Sequence, residues 1–176
     1  RKELADDYLS QKKILLIDRD GVINKKAPRG EYVTTWSEFE FIPQTISQMK
    51  NLSMFGFEFI VITNQAGIAR GSISLGDLEI IHSNMCDYFK ERGINILDIY
   101  MCPHHWDENC DCRKPKPGMF LKASWDYKFR LDETFFVGDD ERDMEAANLA
   151  GTQGILFDEE HDFNFSDRII ESFKEH

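Results

Sequence analysis

Five short apolar runs constrain this chain more than anything else in it. They cover residues 13–18, 57–63, 97–101, 134–137 and 154–157, and each is followed by a turn or a helical pattern. A continuous apolar run of this length suits a strand buried on both faces, as in a parallel sheet. Between them lie segments with apolar residues at helical spacing. Pro43 opens one, carrying Ile46, Met49, Leu52 and Phe55, and Gly56 closes it. Ser74 is placed to cap the next, with Leu78, Ile81, Met85 and Phe89 on one face and Gly93 after it. Further helices are expected near 118–128, over 141–150 before Gly151, and at the end around Ile169, Ile170 and Phe173. Residues 24–41 read as a polar loop. Alternation of this kind gives an α/β fold: a Rossmann-like three-layer sandwich with a mostly parallel central sheet.

At 176 residues the chain fits one compact domain, 1–176, and no insertion is large enough for a separate cap domain. It opens on Arg1, not Met, so a domain excised from a longer chain is an open reading. No apolar run approaches the roughly 20 residues that span a bilayer, and the first residues lack the apolar stretch of a secretory signal. The expectation is a cytoplasmic protein without a membrane partner. A net charge of -11 argues against nucleic acid, which needs a basic face. Positive charge is concentrated at Lys25, Lys26 and Arg29 and again at Arg113, Lys114 and Lys116.

In a parallel sheet the ligand site lies beyond the carboxyl ends of the strands. The polar residues expected there are Asp18 and Asp20, Thr63 and Asn64, Cys102 and His104, and Asp139 and Asp140. Residues two apart on extended backbone point the same way, so Asp18 and Asp20 share a site while Arg19 points elsewhere. Gly21 permits a tight turn. Two carboxylates so close require a cation or a shared proton, and magnesium suits oxygen ligands.

Cys102, His104, Cys110 and Cys112 lie within eleven residues, with His105 beside them. Three thiols and one imidazole at C-x-H and C-x-C spacing favour a closed, structural zinc site in a zinc-binding loop. His104 is the ligand by spacing. Cys86 stands alone in a helix and reads as a small core hydrophobe. Trp36, Trp106 and Trp125 read as packing residues.

The order of these motifs resembles the haloacid dehalogenase superfamily of phosphatases over nearly the whole chain. The resemblance implies that Asp18 is the nucleophile and Asp20 the general acid-base. It implies that Thr63 and Lys114 hold the transferring phosphoryl group. Magnesium would be bound by the carboxylates of Asp18 and Asp139 and the backbone carbonyl of Asp20. The cysteine loop running into Arg113, Lys114 and Pro115 resembles the zinc-containing branch that acts on heptose bisphosphates or histidinol phosphate. That branch implies substrate contacts from Asn64, Gln65 and Arg113, and magnesium and zinc as cofactors.

The implied activity is hydrolysis of the C7 phosphate of a heptose 1,7-bisphosphate. Histidinol phosphate is the alternative substrate, and a non-catalytic zinc-stabilised domain of a fusion protein is a second alternative. Fusion to another sugar-activating domain stays open. Three features depart from the heptose pattern: five residues between His104 and Cys110, Asp140 where a basic residue is usual, and a longer, more basic loop over 25–32. That loop offers positive charge to a second phosphate.

Overall fold

The computed structural model describes residues 12–161 and 164–174. The opening residues on which the absence of a secretory signal was read lie outside this range. Five strands form one sheet: β1 (Ile14–Ile17), β2 (Glu58–Asn64), β3 (Ile96–Cys102), β4 (Phe135–Gly138) and β5 (Gln153–Leu156). All pairings are parallel, in the order β3-β2-β1-β4-β5. Among the described residues the α-helices are α1 (Pro43–Met54), α2 (Leu75–Glu91), α3 (Gly118–Tyr127), α4 (Glu141–Ala150) and α5 (Phe165–Lys174).

Alternation along β1 decides which helix covers which face. Leu15 and Ile17 join one apolar cluster with Phe59, Val61, Met49, Met85 and Ile169, which lie on β2, α1, α2 and α5. Ile14 and Leu16 join the other, with Ile60, Phe120, Ala123, Ala146 and Ala147, from β2, α3 and α4. The three layers expected from the sequence are therefore present. In α2 the buried residues are Leu78, Ile81, Met85 and Phe89, and Ser74 Oγ accepts from Asp77 N at 3.0 Å. Cys86 packs beside that face, partly buried.

The packing expected of tryptophan holds at Trp36, which stacks on Phe39 with centroids 5.1 Å apart. It fails at Trp106 and Trp125, which are 71% and 74% exposed. Trp106 lies in a 3-10 turn that buries nothing, and Trp125 lies on α3, whose buried residues are Met119, Phe120 and Ala123. No described helix is long and apolar enough to cross a membrane.

The chain leaves β1 toward β2 and β3 on one side and later adds β4 and β5 on the other. The sheet order thus switches between β1 and β4, and a crevice is expected beyond their carboxyl ends. Asp18 and Asp139 are the residues that follow those two strands.

Candidate active site

Asp18 is held at the end of β1 by its own N–H, which donates to Val137 O at 2.9 Å. Its Oδ1 accepts from Arg19 N at 2.8 Å and from Lys114 Nζ at 3.0 Å. Lys114 is 3% exposed. Its ammonium also reaches Asp143 Oδ1 at 2.8 Å and Ile62 O at 3.1 Å. All three of its protons have acceptors, as a buried ammonium requires. The Lys114–Pro115 bond is cis.

Asp139 follows β4 and pairs with Lys26 at 2.7 Å. Carboxylate oxygens of Asp18, Asp139 and Asp143 lie within 4.8 Å of one another. Gly21 closes on this trio from the first loop. A Cβ there would meet Asp139 Oδ2 at 2.0 Å, so only glycine allows the approach.

Burial pushes the Asp18 carboxyl well above its usual range. Lys114 opposes this, and Asp143, Asp139 and Asp20 reinforce it. Asp139 is raised by burial against the pull of Lys26. Asp143 resists its burial and is lowered, chiefly by Lys114. Four carboxylates, counting Asp20, face three cations, Arg19, Lys26 and Lys114. An all-oxygen donor set with surplus negative charge fits magnesium.

Asp143 went unrecognised as a site residue in the sequence. It looks like an ordinary acid in the first turn of a helix. Its Oδ2 accepts from Asp139 N at 3.0 Å and Asp140 N at 3.3 Å, so it braces the loop that carries Asp139. A signal was available: a Lys114 buried between strands needs more than one counter-ion.

Asp20 lines the same cavity as Asp18, with its carboxylate outside the acidic trio, but Arg19 does not point elsewhere as expected. The guanidinium curls back onto Asp20 Oδ1, at 2.8 Å from one terminal nitrogen. Burial raises the Asp20 carboxyl, but the charge of Arg19 and bonds from Asn24, Arg19 and Gln65 outweigh it, and the net shift is downward.

Gln65 joins two of the residues, its Nε2 donating to Asp20 Oδ2 and to Thr63 Oγ1, both at 2.9 Å. Thr63 is 1% exposed and lies behind Gln65. Asn64 lines the cavity, yet both ends of its amide are engaged by the Lys114 backbone: Oδ1 accepts from the N–H at 3.0 Å and Nδ2 donates to the carbonyl at 3.2 Å. What the geometry gives Asn64 is a brace on Lys114.

A cavity of about 420 Å³ opens over these groups. Lys26, Arg29, Tyr32, Arg113 and Arg142 line it together with Asp18, Asp20 and Asp139. Lys25 turns away, to Glu40 at 3.2 Å. Asp140 caps α4, accepting from Arg142 N at 2.8 Å and Asp143 N at 3.3 Å, and its other oxygen pairs with the Arg142 side chain at 2.9 Å.

The four zinc-type ligands come together as expected. Cys102 Sγ is 3.4 Å from His104 Nδ1 and 3.6 Å from Cys110 Sγ, and His104 Nδ1 is 3.2 Å from Cys112 Sγ. Thiolates about 2.3 Å from one tetrahedral zinc would sit about 3.7 Å apart, so the cluster fits that ion. All four cysteines are free thiols. His105 faces away from the cluster, bonding Arg70 at 3.0 Å and Asp107 at 2.8 Å. Arg113 donates to His104 O at 3.4 Å, which ties the cavity wall to this loop.

Residues 111–161 match the HAD-hydrolase-like family. A D-glycero-beta-D-manno-heptose-1,7-bisphosphate 7-phosphatase of Pseudomonas putida is 42% identical over 82% of this chain and 81% of its own length. The histidine biosynthesis bifunctional protein HisB of Campylobacter jejuni is 35% identical over 92% of this chain, which spans only 46% of that longer protein. In that relative the matching region is one part of a larger chain. Among solved structures, a D,D-heptose 1,7-bisphosphate phosphatase of B. bronchiseptica, complexed with magnesium and phosphate, superposes with a TM-score of 0.77. It is 34% identical, covering 82% of this chain and 79% of that one.

Proposed function

The chain belongs to the haloacid dehalogenase-like hydrolases, as a phosphoric monoester hydrolase, and from that premise we propose that it removes the C7 phosphate of a D-glycero-D-manno-heptose 1,7-bisphosphate. The observation that carries this reading is the cavity. It joins the carboxylates of Asp18 and Asp20 to a set of cations, Lys26, Arg29 and Arg113, which exceeds what one reacting phosphate needs. The P. putida relative and the B. bronchiseptica structure carry the name of the same reaction.

In this reading Asp20, held ionised in the free site, takes up a proton as the anionic phosphate binds beside it. Asp18 attacks phosphorus as the bond to the leaving oxygen breaks, and Asp20 gives that proton to the oxygen. Water then attacks the phosphorus as its bond to the Asp18 oxygen breaks, Asp20 takes the water's proton, and inorganic phosphate leaves with the Asp18 carboxylate restored. Lys114 and Thr63 are assigned to the transferring group, Lys114 through its charge and Thr63 through its link to Gln65. Gln65 and Arg113 are assigned to substrate, and Asn64 to fixing Lys114.

Asp18, Asp139 and the Asp20 carbonyl are the residues assigned to magnesium, with Asp143 bracing Asp139. Bound there, magnesium would neutralise the carboxylates and the phosphate oxygens. Cys102, His104, Cys110 and Cys112 are assigned to zinc, whose part is structural. We read residues 1–176 as one domain. Cysteines kept for a metal and not for disulfides fit a reducing compartment, which supports a cytoplasmic location.

Histidinol phosphate is the second reading, favoured by the five-residue spacing between His104 and Cys110 and by the C. jejuni relative. The test is phosphate release from heptose 1,7-bisphosphate, sugar monophosphates and histidinol phosphate, with magnesium present and ionic strength fixed. Preference for the heptose bisphosphate is expected. Preference for histidinol phosphate would transfer the assignment to the second reading.

A further inference from the structure

Arg19 is among the most buried large side chains in the molecule, at 1% exposure. A guanidinium removed from water must be hydrogen-bonded by its surroundings. Its Nε and one terminal nitrogen converge on the same atom, Asp20 Oδ1, at 3.2 and 2.8 Å. The other terminal nitrogen reaches His82 Nε2 on α2 at 3.0 Å. The ring of Phe39 lies 5.7 Å from the guanidinium carbon. Asn24 Nδ2 brings a further bond to Asp20 Oδ1, at 2.9 Å.

The two oxygens of Asp20 are therefore unequal. Oδ1 receives three donors and is spoken for. Oδ2 has, among the described residues, Gln65 Nε2 at 2.9 Å as its donor. We infer that Arg19 and His82 are positioning residues for Asp20: His82 anchors the guanidinium, the guanidinium anchors Oδ1, and Oδ2 is left as the oxygen that carries the transferable proton. This rests on the reading of Asp20 as proton donor and acceptor.

Chemistry fixes the state of His82. Arginine only donates, so His82 Nε2 accepts, and the neutral ring carries its proton on Nδ1. Burial and the charge of Arg19, against a weaker pull from Asp20, hold its pKa at about 4. The ring thus remains an acceptor at neutral pH. A carboxylate left free to rotate would spend part of its time with the proton turned from the leaving oxygen, and small misplacements at a reacting centre cost rate.

The test uses the leaving group. An alkyl phosphate expels a basic alkoxide and needs the proton, whereas p-nitrophenyl phosphate expels a weakly basic phenolate and needs it little. Values of kcat/KM for both substrates are compared in wild type, D20N, H82L and H82Q, with magnesium saturating. D20N is expected to lose about 10²-fold or more on the alkyl ester and much less on the aryl ester. H82L is expected to lose about tenfold on the alkyl ester and under about twofold on the aryl ester. H82Q retains an acceptor for Arg19 and should recover most of that loss.

Equal losses on both esters in H82L, or no rescue by Gln, would overturn the positioning role while leaving Asp20 as assigned. Equal losses on both esters in D20N would instead overturn the assignment of Asp20, and this proposal with it. Independently of any variant, the ¹⁵N spectrum of wild type at pH 7 should show His82 neutral with Nε2 bare. A ring protonated on Nε2 would contradict the contact on which the inference stands.

Discussion

The carboxylate centre and the cysteine–histidine loop could each hold a metal, but they are built in opposite ways. Asp18, Lys114, Asp139 and Asp143 come from distant parts of the sequence, and the sheet brings them together. They are braced by ion pairs even though negative charge is in surplus: Lys114 bridges Asp18 and Asp143, and Lys26 covers Asp139. The four ligands of the loop come from eleven consecutive residues between β3 and α3, with only a short 3-10 turn at Trp106–Glu108 as regular structure. Cys102, at the end of β3, is fully buried, but the other three are only partly so. A centre positioned by a sheet should keep its shape without its ion. A loop with little core of its own should owe its shape to the ion.

The largest effect that would break this comparison lies on the carboxylate side. Asp18→Asn removes the proposed nucleophile and one negative charge from a crowded centre. Turnover should fall by at least about 10⁴-fold, with thermal stability at or above that of wild type, because burial and three like charges strain the native carboxylate. Steady-state phosphate release and a melting curve check both halves. A marked drop in melting temperature would mean that Asp18 is a structural keystone.

Metal removal should separate the two regions next. Stripping zinc, or Cys110→Ser, should expose amides of residues 102–114 to hydrogen exchange and lower activity about 10- to 100-fold. The route is Arg113, which donates to His104 O, and Lys114, which follows it. Removing magnesium alone should leave exchange over residues 135–143 unchanged. A stripped loop that stays protected would show that its contacts with residues 64–70, such as Gln65 N to Cys102 O at 2.7 Å, suffice.

A smaller effect concerns substrate. Arg113→Ala should reduce the preference for a bisphosphate over a monophosphate by about 10- to 100-fold, the worth of one charge-assisted contact. Hydrolysis of simple monoesters should change little by comparison. Ratios of kcat/KM measure this, and an unchanged ratio would shift the second anion to Lys26 or Arg29. The smallest effect is on stability: Asp140→Ala removes the cap of α4 and should cost about 1 kcal/mol. An unchanged denaturation midpoint would mean that Asp143 alone holds that helix start.

The central strands β1, β2 and β4 were legible because strands buried on both faces must be continuously apolar, whereas the edge strands β3 and β5 are only partly buried. Helix faces were legible because spacing alone picks out Leu78, Ile81, Met85 and Phe89. Strand ends moved by a residue, as at β4, which begins at Phe135 instead of Thr134. The cluster of Cys102, His104, Cys110 and Cys112 was legible because it is local. Asp143 was not, because its partners Lys114 and Asp139 are fixed by the fold and not by spacing. Arg19 was misread for a related reason: strand alternation sends its Cβ away from Asp20, but a long side chain can bend back. Asp140, which stands where a basic residue is usual in the heptose pattern, caps α4 at the edge of the cavity.

The most direct test of the account is acid quench of the wild-type enzyme during turnover of a ³²P-labelled phosphate ester, followed by peptide mapping. Label on the peptide that contains Asp18, absent in Asp18→Asn, is the predicted result. Label on another residue, or turnover with no protein-bound phosphate at any quench time, would contradict it.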